Sequence, residues 1–119
     1  MTKADLHVKI AGGQQIVGGY SIQVYQNGNM GTGTKTFDPL NGNYQTAVNT
    51  GAITINAPTV DCAIDVLIVN GSGAGAISFS GFTVNANTGE PFTTTLNHIF
   101  LLSIRRLGAV STYVVKALQ

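Results

Sequence analysis

Short apolar segments separated by turn-forming residues constrain this fold more than any other feature of the sequence. The segments are rich in Val, Ile, Thr and Phe, and Gly, Asn or Pro interrupts them at intervals of about 8 to 12 residues. This spacing is typical of all-β sandwiches and barrels, and no segment has the length and period of an amphipathic helix. The chain has 119 residues, enough for one domain with its own core. We therefore predict an all-β fold, an antiparallel β-sandwich or jelly-roll-like barrel of about eight or nine strands.

Two alternating patterns near the N-terminus predict half-buried strands, because every second residue is apolar and these side chains share one face of a strand. The residues concerned are Leu6, Val8, Ile10, Tyr20, Ile22 and Val24. Loops are predicted at Gln26 to Gly33 and Asp38 to Gly42, where Gly and Pro favour turns. These loops divide the chain into an N-terminal β segment, residues 1–40, and a β-sandwich domain, residues 41–119. The alternative is that the first strands belong to the same sandwich.

Later segments predict two hairpins and a central strand. Tyr44 to Val48 and Ala52 to Asn56 flank a short Gly-containing turn, which favours a hairpin. Cys62 to Val69 is almost continuously apolar, as expected of a central strand covered on both faces. His98 to Arg106 and Val110 to Leu118 predict a terminal antiparallel hairpin. Two short strands are predicted between these segments, at Ile77 to Phe79 and Phe82 to Val84.

The charge content restricts the partners of this protein. Charged residues make up 9% of the chain, where a soluble domain averages about 25%. Such a surface fits a protein that is covered by copies of itself or by neighbours in an assembly, and it equally fits a neutral β-protein surface. The net charge of +1 argues against nucleic acid as a partner. No apolar run is long enough for a membrane span, and the first ten residues lack the apolar stretch of a signal peptide, so we expect synthesis and storage in the cytoplasm.

The candidate catalytic and cofactor motifs all have simpler structural interpretations. Gly71 to Ala76 matches the letters of a dinucleotide-binding fingerprint, but a strand-like segment follows it instead of a helix. Asp61 and Asp65 share one face of a strand, and we interpret Asp65 as the partner of Arg105 or Arg106 in an ion pair. His7 and His98 lack the spacing of a zinc site, and Cys62 is the single cysteine. We predict a protein that is not an enzyme, with no catalytic residues, no cofactor and no metal.

Sugar binding is the alternative function that the residues leave open. Lectin sites usually stack a sugar on an exposed aromatic ring, and Trp is absent from this chain. The candidate surface or ligand contacts are therefore Tyr20, Tyr25, Tyr44 and Tyr113. In a strand a tyrosine more often packs at the edge of a core than against a sugar. A carbohydrate-binding or adhesin-type β-sandwich module, with a host surface glycan as its partner, is the second hypothesis.

Several short phrases in residues 41–119 resemble a β-rich module of bacteriophage and prophage virion structural proteins. The phrases are Gly42-Asn43-Tyr44-Gln45, Asp61-Cys62-Ala63-Ile64-Asp65, Ile77-Ser78-Phe79-Ser80-Gly81-Phe82, Ser103-Ile104-Arg105-Arg106 and Tyr113-Val114-Val115-Lys116-Ala117-Leu118-Gln119. The resemblance covers about two-thirds of the chain. It consists of general sequence character and these short phrases, without a diagnostic motif.

This resemblance implies a viral protein of the virion, such as a capsid decoration protein or a tail or neck fibre component, made in the bacterial host cytoplasm and often homotrimeric. Its partners would be copies of itself and other virion proteins such as capsid or tail subunits, and neither nucleic acid nor a membrane. Residues 1–40 would then be the segment that attaches to the particle. The predicted attachment face consists of Leu6, Val8, Ile10, Tyr20, Ile22 and Val24.

Overall fold

A computed structural model describes residue 18, residues 21–83 and residues 88–118. Nine strands lie in these residues, and a short 3-10 helix at Pro39–Asn41 precedes the third of them. The strands are β1 (Tyr25–Asn29), β2 (Gly33–Lys35), β3 (Tyr44–Asn49), β4 (Ile53–Asn56), β5 (Cys62–Asn70), β6 (Ile77–Ser80), β7 (Thr88–Gly89), β8 (Ile99–Leu107) and β9 (Val110–Ala117).

The first six described strands alternate between two open sheets, so that the chain runs as a three-turn coil. Strands β1, β3 and β5 are parallel neighbours in the large sheet, and β2, β4 and β6 are parallel neighbours in the small sheet. Tyr25 pairs with Gln45 and Tyr44 pairs with Asp65, so one turn of the coil takes about 20 residues. The large sheet continues with β8, β9 and β7, in the order β1-β3-β5-β8-β9-β7.

The all-β class is confirmed, whereas the antiparallel sandwich or barrel is wrong in its finer details. One sheet is mixed, the other is parallel, neither closes into a barrel, and the two resemble a sandwich only loosely. The predicted hairpin of β3 and β4 is also wrong, because these strands lie in different sheets. Both strands bury alternate side chains in one shared core, Ala47 from β3 and Ile53 and Ile55 from β4. The turn between them therefore moves the chain from one sheet to the other.

The central strand and the terminal hairpin are confirmed. Strand β5 lies between β3 and β8, and β8 pairs antiparallel with β5 and with β9. Gly108, with a positive φ of 62°, and Ala109 form the turn of the hairpin. The expectation that β5 is covered on both faces is wrong for the described residues. Ile64, Val66 and Ile68 are buried, but the alternate residues of the strand are only half-buried or exposed.

The N-terminal prediction requires corrections where the structure describes the chain. The predicted loop from Gln26 to Gly33 contains β1 and the start of β2, which pair with β3 and β4. Ile22 and Val24 are exposed and precede β1 instead of forming a strand. Phe82 and Thr83 lie outside the strands as well, although β6 confirms the strand predicted at Ile77. Leu6, Val8, Ile10, Tyr20 and Val84 lie outside the described residues, and the division at residue 40 stays a prediction.

Apolar side chains from both sheets form a single hydrophobic core. Those of β5 and β8 make up most of it, and Phe100 and Leu102 have no solvent exposure. The side chains of the buried cluster are Phe37, Ala47, Ile55, Ile64, Val66, Ile68, Phe100, Leu102, Ile104 and Val115. Beyond β6 the small sheet ends, and a group of aromatic rings covers the inner face of the large sheet. In this group Phe79 stacks on Tyr113 with centroids 3.7 Å apart, and Phe92 contacts Phe100.

A buried pair of asparagines, Asn49 and Asn70, holds the turns of the coil together. They are cross-strand neighbours at the ends of β3 and β5, and Asn49 Nδ2 donates to Asn70 Oδ1 at 3.2 Å and to the Gly75 carbonyl at 2.9 Å. Asn49 Oδ1 accepts from the backbone N–H groups of Gly51 and Gly75. Both side chains are fully buried. The pair therefore satisfies backbone groups of two successive turns that no strand ladder reaches.

Asn70 extends this network to the segment that precedes β8. Its Nδ2 donates to the carbonyl oxygens of Thr93 at 2.8 Å and Thr95 at 3.0 Å. At the other end of β3, the buried Gln45 side chain plays a similar part, because its Nε2 donates to the carbonyls of Asp38 and Gly42. Each end of β3 is thus fastened to an adjacent loop by a buried amide.

Replacing Phe100 by alanine tests the position of the core. The side chain is fully buried between the sheets, so Phe100→Ala is expected to lower the free energy of unfolding by about 3 to 5 kcal/mol. Leu96→Ala, at a side chain that is 58% exposed, is the control and should change it by less than about 0.5 kcal/mol. Chemical denaturation measures both. A loss below about 1 kcal/mol for Phe100→Ala would contradict this core.

Replacing Asn70 by alanine tests the asparagine pair. Asn70→Ala removes four hydrogen bonds, among them the bonds to the buried Asn49 side chain and to the part-buried Thr93 carbonyl, so we expect a loss on the order of 3 kcal/mol in unfolding free energy. Asn43→Ala is the matched control, because the exposed Asn43 makes one side-chain bond, to the Ala63 carbonyl, and should cost less than about 1 kcal/mol. Equal losses for the two variants would show that the buried pair has no special role.

Candidate functional site

The two acidic residues that the sequence analysis singled out, Asp61 and Asp65, have different surroundings. Arg106 Nε is 3.7 Å from Asp61 Oδ1, and the same side chain donates to the carbonyls of Pro58 and Gly108. The predicted partner is therefore wrong: Asp61, and not Asp65, pairs with Arg106. The Asp61 side chain is 65% exposed, so this ion pair contributes less than about 1 kcal/mol. Asp65 lies on the opposite face of β5 from the core.

Cys62, at the start of β5, is a free thiol next to this ion pair. Burial raises the pKa of the Cys62 thiol, the neighbouring Asp61 carboxylate raises it further, and the Arg106 guanidinium lowers it in part. A catalytic cysteine requires the opposite shift, because the thiolate is the nucleophile. His98 has a different partner: its Nδ1 is 2.8 Å from the hydroxyl of Thr93, a residue whose carbonyl also accepts a hydrogen bond from Asn70. His7 lies outside the described residues.

Within residues 21–83 and 88–118, no group of three or more His, Cys, Asp or Glu side chains is placed to hold a metal ion. The same part of the chain contains no helix that is long and apolar enough to span a membrane.

The glycine-rich segment between β5 and β6 forms a close-packed turn. A Cβ atom at Gly75 would clash with the backbone of Gly51 and Ala52, and Gly73 has a φ of 80°. The glycines are therefore required by the approach of two successive turns of the coil. Strand β6 follows directly, so the helix N-terminus on which the dinucleotide fingerprint depends is not formed there.

The structure does not bring the candidate tyrosines together. Tyr44 lies on the solvent side of the large sheet and is 44% exposed, Tyr25 is half-buried in β1, and Tyr20 is outside the described residues. Tyr113 lines a groove beside the end of the small sheet, which we call the end groove. It has a volume of about 530 Å³, and its wall includes Phe79, Phe92, Thr93 and Glu90. The sequence alone did not predict this groove, because its residues come from β6, β9 and the segment before β8.

The wall of the end groove combines aromatic rings with polar side chains. Phe79 covers one face of the Tyr113 ring, with an angle of 12° between the two planes. Glu90 Oε1 accepts a hydrogen bond from the backbone N–H of Ala117 at 3.1 Å, which fixes the carboxylate against the edge of β9. The groove can therefore hold an apolar or aromatic group, or a sugar ring at its rim.

The solvent side of the large sheet is the second candidate surface. We call it the outward face and define it by the side chains of β3, β5, β8 and β9 that point away from the core. Its centre is apolar, and Leu67, Val69, Ile99 and Leu101 lie there half-buried. The core lies on the other side of the sheet, because β3, β5, β8 and β9 turn their opposite faces to it.

Comparisons with known proteins identify no relative. The chain matches no family model, and no significant match was found among curated proteins or solved structures.

The raised pKa of Cys62 predicts slow alkylation. At neutral pH the folded protein should react with iodoacetamide more slowly than the same chain unfolded in urea, and its rate should reach half-maximum at a higher pH. Asp61→Asn removes a negative charge that favours the thiol form, so it should lower this pH and increase the rate. Asp38→Asn, at a carboxylate that bonds locally to the Leu40 N–H, is the control. Faster alkylation of the folded protein than of the unfolded chain would contradict the assignment.

Proposed function

We propose that this protein is a non-enzymatic structural protein of a bacteriophage virion, such as a capsid decoration protein or a tail or neck fibre component. It assembles with copies of itself on the particle, and a homotrimer is the form that the resemblance implies. Its other partners are capsid or tail subunits, and it is made in the cytoplasm of the bacterial host. The resemblance of residues 41–119 and the 9% content of charged residues support this proposal.

The observation that carries the proposal is the apolar centre of the outward face. A sheet with one side in water usually has polar residues on that side, and Leu67, Val69, Ile99 and Leu101 depart from this rule. Clustered apolar side chains on a protein surface mark sites of interaction with other proteins or with membranes. A charge-poor chain with such a face suits a subunit that works inside an assembly.

Attachment to the particle is proposed for residues 1–40. Of the predicted attachment face, Ile22 and Val24 are described, and they are 48% and 43% exposed ahead of β1. Both side chains are thus available to a partner. Strands β1 and β2 pair with β3 and β4, and Phe37 is part of the core. A deletion that tests attachment must therefore stop before β1.

A carbohydrate-binding module is the second candidate, and the end groove is the observation that favours it. The groove is concave and its wall includes the aromatic rings of Tyr113 and Phe92. Two experiments distinguish these functions. If the protein binds a sugar, an NMR titration with that sugar should perturb the resonances of the groove residues. If it is a virion subunit, it should bind purified particles.

Purified particles test the proposed function. In the bacterial strain that encodes the chain, phage particles obtained by induction or infection should contain the protein in a constant ratio to the major capsid protein, measured by quantitative mass spectrometry. Added back to particles that lack it, the full chain should bind, while a variant without residues 1–17 should remain folded and bind at least about tenfold more weakly. Leu96→Lys, a change at an exposed side chain in the loop before β8, is the control. Particles without the protein would overturn the proposal.

A further inference from the structure

The apolar centre of the outward face is symmetric about the line between β5 and β8. These strands are antiparallel with a continuous register, so that the apolar residues of the centre lie side by side. The neighbouring pairs are Val69 and Ile99, Leu67 and Leu101, Asp65 and Ser103, and Ala63 and Arg105. Strands β3 and β9 extend the rows, with Tyr44 next to Asp65 and Val114 next to Ser103.

This symmetry makes the face complementary to itself. A two-fold axis that runs parallel to the strands, between β5 and β8, lays β5 of one copy over β8 of a second copy, and each residue keeps its height along the strand. Leu67 then faces Leu101 of the second copy, and Val69 faces Ile99 of the second copy. Packed sheets are about 10 Å apart with nearly aligned strands, a distance that side chains of this size fill.

The charges on the face agree with the same arrangement. Asp65, Arg105 and Lys116 are the charged side chains on the described outward face. The two-fold axis places Asp65 over Ser103 of the second copy, diagonally next to Arg105 of that copy, and it places Lys116 over Thr46. No charged side chain of one copy therefore lies directly opposite a charged side chain of the other.

The area of the face is sufficient for a specific contact. Four strands spaced at about 4.8 Å, each with about seven residues at 3.3 Å, cover roughly 450 Å² in projection. The relief of the side chains increases this area, so two copies together bury about 1,000 Å² or more, which is the lower limit for a specific protein interface. The occupant that fits this face in area and hydrophobicity is therefore the same face of another copy.

We propose that two copies of this chain associate through their outward faces, related by a two-fold axis between β5 and β8. The inference rests on the proposed self-association and names the surface that carries it, with a two-fold pair in place of the homotrimer that the resemblance implies. Leu67 and Leu101 are the central contacts, and Val69 and Ile99 extend them along the strands. Any contact with a particle or a further copy then uses other surfaces of the chain.

The mass of the full chain in solution tests this pairing. Sedimentation and light scattering over a range of micromolar concentrations should give twice the 12.4 kDa of one chain for the unaltered protein. Leu67→Lys and Leu101→Lys should each weaken the association by roughly 30-fold or more, which shifts the mass toward 12.4 kDa. Leu40→Lys is the matched control, because Leu40 is 82% exposed in the 3-10 helix and outside the four strands of the face, so it should leave the dimer intact.

Circular dichroism and thermal unfolding verify that each variant is folded. Leu67 and Leu101 lie on different strands, so that if one variant fails to fold, the other still tests the contact. The proposal is overturned if the unaltered protein is a monomer throughout, if its mass corresponds to three chains, or if Leu40→Lys dissociates it as strongly as Leu67→Lys. Binding to purified particles separates this result from the proposed function. A monomer or trimer that binds particles rejects only the two-fold pairing, whereas a dimer that Leu67→Lys dissociates but that is absent from particles rejects only the virion role.

Discussion

The buried asparagine pair is the constraint on which the rest of the structure depends. Strands in a coil alternate between two sheets, so every turn leaves backbone groups at the corners that no ladder can satisfy. Asn49 and Asn70 meet this need by bonding to each other, to the turns at Gly51 and Gly75, and to the carbonyls of Thr93 and Thr95. Because the last two carbonyls precede β8, the same pair sets where the terminal hairpin joins β5. These bonds add to the strand ladders that hold successive turns of the coil in register.

The terminal hairpin gives the molecule its asymmetry. It adds to the large sheet beyond β5, while the small sheet ends at β6. The rings of Phe79 in β6, Phe92 and Tyr113 in β9 pack together at this end of the molecule and leave the end groove at their margin. On the other side, the same extension enlarges the outward face, whose apolar centre at Leu67 and Leu101 spans the junction of coil and hairpin. The addition of the terminal hairpin to the large sheet therefore contributes to both candidate surfaces.

The candidate site was only partly predictable. Tyr113 was singled out because aromatic rings contact sugars, and it does line a groove, but the partners that shape the groove come from segments far apart in sequence. Asp65 was expected to pair with an arginine because a buried carboxylate needs a partner. Its place on the outward face removes that need, and Arg106 instead reaches Asp61. Alternation identifies which residues share a face of one strand, but it cannot say which face will be covered when strands from distant segments assemble.

The sequence by itself determined the all-β class, the central role of the apolar segment at Cys62–Asn70 and the terminal hairpin. These features depend on local properties: β-branched residues in alternation, short breaks, and a two-residue turn with glycine at Gly108. Only the tertiary structure decided that β3 pairs with β5 instead of β4 and that the chain coils between two sheets. A short turn containing glycine fits both a hairpin and a corner. The choice between them is made by the shared core and by the buried Asn49 and Asn70 side chains, which come together only when successive turns of the coil are stacked.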